Sequence, residues 1–355
     1  MKFRQELDRY FRDLERQEKF SGAVLVTQGE SPLYAETFGY ASRKWGVRNG
    51  LETRFDTASI TKLFTAVATL QLIDQGSLAF DTGVIDFLGL TDTAISREVN
   101  VFHLLTHTSG IGDDVEEEDG EIYEELWQTK PNYAVRETAD FLPQFIHKTP
   151  NFPAGKGCRY NNCAFILLGL MIEKISGLSY RDYVRNNVFV TAQMDHSDFY
   201  HRDRNHKDIA EGCDPIRDES GTIVAWKKNI YSFPPIGSPD GGALVTVGDL
   251  DRFLRSVQAG NLLSPALTKA FLTPQVKYRE SDNWITMYGY GLMFYLNKTG
   301  RLICYQKDGI NAGVSGIIRH FPDWDINIVL LSNMENGVWE PIWKVHEMIV
   351  NYCTE

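Results

Sequence analysis

The 355-residue chain lacks several features that would assign its class at once. It holds only five cysteines, Cys158, Cys163, Cys213, Cys304 and Cys353, an odd and scattered set that makes no disulfide framework. None of them forms a Cys-x-x-Cys pair, so no zinc site is expected. No apolar run is long enough to cross a bilayer. The N-terminal run Met1-Lys2-Phe3-Arg4-Gln5-Glu6-Leu7 stays charged and offers no apolar signal-peptide core. Positive charge is short as well: 36 Lys and Arg against 47 Asp and Glu leave a net charge of −11, the wrong sign for nucleic acid or an anionic membrane. No Gly-x-Ser-x-Gly occurs, which argues against the nucleophile elbow of an α/β-hydrolase. The expectation is a cytoplasmic protein with a small-molecule or peptide substrate and neither nucleic acid nor membrane as partner. A trimmed, exported form stays open beside it. No face stands out as an interface, so the oligomeric state is not legible.

What is present suffices for a large core: 43% of residues are hydrophobic and 12% aromatic. Phe3, Leu7, Tyr10, Phe11 and Leu14 recur at helical spacing. Short strands follow over 22–27 and 33–38, and a long helix begins near Ser59 and stops at Gly76. A buried helix over 164–175 is closed by Gly177, and 207–242 reads mostly as loop. Strand character returns at 290–296, 302–306, 313–320 and 326–332, before a closing helix with Val338, Ile342, Val345, Ile349 and Tyr352 on one side. The expected fold is α/β (α+β): an antiparallel sheet built from both ends of the chain, flanked by the terminal helices, with a helical region inserted. In residue terms, 1–57 and 241–355 form the sheet domain, 58–240 the helical domain, and the active site lies in the cleft between them. The acidic run of Asp113, Asp114, Glu116, Glu117, Glu118, Asp119 and Glu121 lacks the ordered spacing of a calcium loop and reads as a solvated surface segment.

Three short elements carry candidate chemistry. In Ser59-Ile60-Thr61-Lys62, a Ser and a Lys three apart on a helix share a face, so the lysine can take the serine's proton if burial or nearby cations lower its pKa. A helix-capping serine explains the same pattern. In Tyr160-Asn161-Asn162, the phenol can relay protons if a lysine depresses its pKa, and Asn162 can bond an amide or ester group; a surface turn explains this too. In Lys307-Asp308-Gly309, the lysine supplies charge, the glycine permits close approach, and the N–H of Ile310 can serve an oxyanion. His103 and His107 suggest a triad, but satisfied helix-end histidines are the commoner case.

Taken in order, these elements resemble the serine β-lactamase and penicillin-binding-protein family, in its class C branch, where the middle motif is Tyr-x-Asn. His103-Leu104-Leu105-Thr106-His107-Thr108-Ser109-Gly110 and Gly241-Gly242-Ala243-Leu244-Val245-Thr246 are similar to two further segments of that branch. The resemblance spans about residues 20 to 350. It implies a β-lactamase/transpeptidase-like fold and acyl transfer to Ser59, then to water, with no metal or organic cofactor. Lys62 and Tyr160 share general-base and general-acid duty. Asn162, Lys307, Asp308 and Gly309 bind substrate, and the backbone N–H groups of Ser59 and Ile310 form the oxyanion hole.

The third element departs from Lys-Thr-Gly. An Asp308 facing the site would repel a substrate carboxylate by about 1 kcal/mol in water and several times more in a partly dry pocket. The reading is therefore a serine hydrolase acting on a small ester, amide or peptide, esterase-like first and D-amino-acid-peptidase-like second. A true β-lactamase or DD-carboxypeptidase is the alternative within the class. A penicillin-recognising binding protein without useful turnover is the alternative outside it.

Overall fold

The computed structural model describes residues 2–354. Eight strands form one sheet: β1 (Gly22–Gln28), β2 (Ser31–Phe38), β3 (Val276–Glu280), β4 (Ile285–Tyr288), β5 (Met293–Leu296), β6 (Leu302–Asn311), β7 (Val314–Phe321) and β8 (Ile326–Ser332). Their order is β2-β1-β8-β7-β6-β5-β4-β3, with every neighbouring pair antiparallel. Both ends of the chain thus build the sheet, and β1 closes onto β8 across some 300 residues of sequence.

Helices α1 (Lys2–Arg16) and α5 (Trp339–Thr354) cover one face. The periodicity of α1 buries Phe3, Leu7, Phe11 and Leu14 there, with Val24, Val26, Cys304, Ile328 and Leu330 from the strands. The neighbours in sequence of those strand residues, Ala23, Tyr305, Val329 and Leu331, face the larger core on the other side. β7 and β8 are buried along their whole length, as strands covered on both faces must be.

The second face packs on α2 (Lys62–Asp74), α3 (Cys163–Ser176) and α4 (Val247–Gln258). α2 and α3 are apolar nearly all round and almost wholly buried, which marks them as central helices. Gly177 ends α3 in the left-handed conformation. Among the described residues, no single helix is long and apolar enough to cross a membrane.

Three local expectations change. β3 and β4 are additional strands, absent from the sequence reading because their side chains are mostly polar or half-exposed. The stretch expected as loop over 207–242 contains a hairpin, Cys213–Arg217 with Ile223–Lys228, whose exposed strands carry no alternating apolar pattern. Ser59 sits on a 3-10 turn, Ala58–Thr61, and the α-helix proper begins at Lys62.

Candidate active site

The turn bearing Ser59 is held from several directions. Ala58 has φ +42°, a left-handed conformation unfavourable for a residue with a side chain and costing about 1–3 kcal/mol. Its N–H donates to Asp56 Oδ1 at 2.7 Å, and its carbonyl accepts from Gly242 N–H at 3.2 Å. Asp56 in turn pairs with Arg202. Thr57 Oγ1 donates to the Ala243 carbonyl at 2.8 Å, and Thr61 Oγ1 accepts from Ala243 N–H at 3.0 Å. The Gly241–Thr246 segment is therefore the brace that fixes the strained turn.

β6 closes the other side. Its pairing with β5 ends at Gln306, which leaves residues 307–311 with an open edge beside the turn. Gly309 lies so near the turn that an added Cβ would fall 2.2 Å from the Thr57 carbonyl oxygen and 2.8 Å from Ser59 N. Only glycine fits there, and this contact brings the neighbouring Ile310 to the pocket wall.

Lys62 is fully buried, and its ammonium nitrogen reaches three oxygens: Ser59 Oγ at 3.0 Å, Asn162 Oδ1 at 2.7 Å and the Asp240 carbonyl at 2.7 Å. The orientation of the Asn162 amide follows from its surroundings. Its nitrogen donates to Asp113 Oδ2 at 3.2 Å and Glu117 Oε2 at 2.9 Å, so its oxygen must face Lys62. Asn162 and Asp240 can only accept from the amine. A neutral Lys62 has two N–H bonds for them and one lone pair left, directed at the serine hydroxyl. Burial lowers the Lys62 pKa from 10.5 to about 8, with Lys307 adding to the effect and Asp240, Glu117 and Asp113 opposing it.

Tyr160 stands between two lysines. Lys62 Nζ is 5.1 Å and Lys307 Nζ 4.9 Å from its ring centre. The condition of a lysine-depressed phenol pKa is not met: the pKa is held well above 10, first by burial and then by the Glu117 carboxylate. The hydroxyl is shut off from solvent, so its anion would lose hydration that the lysines do not replace. Lys307 is buried too, and burial lowers its pKa.

The segment before α3 is fixed by caps. Asn161 Oδ1 accepts from Ala164 N–H at 2.7 Å, and buried Asp113 accepts from the N–H groups of Asn162 at 2.7 Å and Cys163 at 2.8 Å. The two histidines serve structure. His103 completes a capping box with Asn100, and His107 accepts from Asn161 N–H at 3.1 Å while stacking on Tyr160. Burial holds the His107 pKa far below 6.5, so its ring is neutral.

Asp308 follows strand alternation onto the face opposite Lys307, sharing it with Gln306 and Cys304 and pairing across to Ile317. It is half-buried and does not line the pocket that holds Ser59, Asn162 and Ile310.

The acidic run is not the freely solvated segment expected. Asp113 and Asp114 are buried; Glu116 and Asp119 pair with Arg159 at 2.9 and 2.7 Å. Glu118 accepts from Tyr160 N–H at 3.2 Å, and Glu117 lines the Ser59 pocket. Arg159 and Tyr160 lie 40 or more residues from these carboxylates in sequence, so charge patterning alone could not find the contacts.

Comparison with known proteins places the chain as a whole. The family model described as Beta-lactamase matches residues 7–342. The chain is 25% identical to penicillin-binding protein 4* of Bacillus subtilis (strain 168), covering 94% of this chain and 72% of the relative. A solved penicillin-binding protein from Bacillus halodurans superposes with a TM-score of 0.85 at 35% identity, covering 97% of this chain and 99% of that one. An octameric penicillin-binding-protein homologue from Pyrococcus abyssi gives 0.80 at 26% identity, over 94% and 74% of the two chains.

Proposed function

The chain belongs to the β-lactamase family of serine hydrolases, and on that premise we propose that Ser59 is acylated by small esters, amides or peptides with Lys62 as the base. The observation that carries this reading is the Lys62 nitrogen, held by two obligate acceptors with its third position on Ser59 Oγ. Neutral Lys62 removes the hydroxyl proton as Oγ bonds to the substrate carbonyl carbon. The N–H groups of Ser59 and Ile310 meet the developing oxyanion. When the tetrahedral adduct collapses, the leaving group departs with the Tyr160 proton, and the proton held by Lys62 restores the phenol. Water attacks the acyl-enzyme by the reverse order, releasing the acid and Ser59.

Lys307 supports this division of labour as a cation that opposes protonation of Lys62. Gly309 keeps the oxyanion edge against the nucleophile turn. The two-part domain reading, 1–57 with 241–355 against 58–240, is part of the proposal; the sheet strands at 22–38 and 276–332 support it. Disfavour toward carboxylate-terminated substrates is retained, but its source is Glu117 in the pocket rather than Asp308 behind β6.

The test is paired hydrolysis of p-nitrophenyl butyrate and nitrocefin by the wild type and Ser59→Ala. Ester turnover that vanishes in the variant and exceeds nitrocefin turnover supports the proposal. Nitrocefin turnover rivalling the ester favours the β-lactamase alternative, and no turnover of either favours a binding protein.

A further inference from the structure

Two consecutive carboxylates lie beneath the site with no cation to balance them. Asp113 and Asp114 are 2% and 4% exposed, and an oxygen of each lies within 4.8 Å of the other and of Cys163 Sγ. Among the described residues neither carboxylate forms an ion pair: Lys148 Nζ bonds the Asp114 main-chain carbonyl at 2.9 Å, and Lys62 reaches Asn162 instead. Burying both as anions costs more than keeping one proton between them.

The donors around the pair say where that proton sits. Asp113 receives four N–H groups. Its Oδ2 accepts from Asn162 N at 2.7 Å and Asn162 Nδ2 at 3.2 Å. Its Oδ1 accepts from Cys163 N at 2.8 Å and from Asp114 N at 3.1 Å, the latter shared with Cys163 Sγ. A carboxylate offers about four lone-pair sites, so Asp113 has none left for a proton. Asp114 receives two donors, both on Oδ1: Val115 N at 2.9 Å and the Tyr123 hydroxyl at 3.1 Å. Among the described residues its Oδ2 receives none. Tyr123 and Cys163 are neutral, because burial first and then the Asp114 charge hold their pKa values well above 10 and 9. Burial raises both carboxyls, Asp113 to about 6 and Asp114 well above the usual range, with the Asp113 charge adding to the second. The remaining charges that face the pair are Lys62 from α2, Asp240 from the turn before Gly241, and Glu116 and Glu117 from its own segment.

We infer that Asp113 and Asp114 hold a single proton, carried on Asp114 Oδ2, and that the charge left on Asp113 is what aims Asn162 Oδ1 at Lys62. The inference rests on Lys62 as the base for Ser59. A second charge beneath Asn162 would favour the ammonium form of Lys62, as Asp113 already does, so the proton on Asp114 keeps the base available. Asp113 is a positioning residue: it acts through Asn162.

The first measurement counts, with an indicator dye at pH 7, the protons released when the wild type and Asp114→Asn unfold in urea. The unfolded chain ionises both carboxyls, so the wild type should release about one proton more than the variant. The second follows burst acylation by p-nitrophenyl butyrate in two amide variants. Asp114→Asn replaces a protonated acid by a group of similar shape and equal charge. Asp113→Asn sets an amide nitrogen among N–H donors and frees the Asn162 amide to turn. Acylation in Asp113→Asn should fall at least tenfold below that in Asp114→Asn. The pH midpoint assigned to Lys62 should hold in Asp114→Asn, whereas removing a charged Asp114 would lower it. Equal proton release, a midpoint that falls in Asp114→Asn, or Asp113→Asn acylating as fast as Asp114→Asn overturns the inference. The proton count decides the matter even where Asp113→Asn does not fold. With a Lys62-dependent ester burst intact, those results overturn the shared proton alone; a burst insensitive to Lys62→Met overturns the premise as well.

Discussion

Replacing Lys307 by methionine should move the pH dependence of acylation upward, because Lys307 is one of the two causes that lower the Lys62 pKa. Burial is the larger cause, and together with Lys307 it brings the ammonium from 10.5 to about 8. That change amounts to ~3 kcal/mol between the two protonation states. At pH 7 about a tenth of such a lysine is neutral, against roughly three in ten thousand for an ordinary one, so the environment raises the competent fraction about 300-fold. The pre-steady-state release of p-nitrophenolate, followed from pH 5.5 to 9.5, should rise about tenfold per pH unit and level off near 8. In Lys307→Met the midpoint moves toward 10.5, since the neighbouring cation is gone. In Glu117→Gln it moves down, because that carboxylate favours the ammonium. Tyr160 stays a neutral phenol across this range, so the limb belongs to Lys62 and persists, at reduced rate, in Tyr160→Phe. A flat profile, a midpoint that falls in Lys307→Met, or one that rises in Glu117→Gln, would refute the assignment of Lys62 as base.

The remaining predictions concern the scaffold. Gly309→Ala forces a Cβ within 2.2 Å of the Thr57 carbonyl and displaces Ile310 from the turn; acylation should fall ~100-fold, as when an oxyanion donor is lost, with a stability loss of about 1–3 kcal/mol in urea. Unchanged rates would show that β6 does not support the oxyanion. Asp113→Ala leaves the N–H groups of Asn162 and Cys163 without their acceptor, so urea unfolding should report a loss of ~2 kcal/mol and kcat should fall with it. His346 beside Arg319 is held to about 4 by burial and that cation. The folded state thus binds its proton less readily than the unfolded chain, and this part of stability is lost as pH falls from 6.5 through 4. His346→Phe should flatten the decline in that window; an identical decline would contradict the assignment.

The legible parts of the molecule share one property, a local pattern. α1 and the inner strands could be read because burial repeats at the helical and strand periods, and Ser59, Lys62, Tyr160, Asn162 and Lys307 each sit in a short recognisable run. The illegible parts depend on distant contacts. Glu117 meets Asn162 across 45 residues, and Asp113 meets Cys163 across 50. The Asp240 ligand to Lys62 is a main-chain carbonyl, which has no residue-type signature. The proton affinity of Tyr160 is illegible for the same reason: a neighbouring lysine can lower a phenol pKa, but the burial that raises it is a property of the folded chain.

Ser59, activated by Lys62, is the residue proposed to be acylated. Intact-protein mass spectrometry after treatment with a fluorophosphonate tests it most directly. A single adduct is expected, mapped by peptide digestion to Ser59, absent from Ser59→Ala and slowed in Lys62→Met. An adduct on another residue, or labelling at Ser59 that is as fast without Lys62, would contradict it.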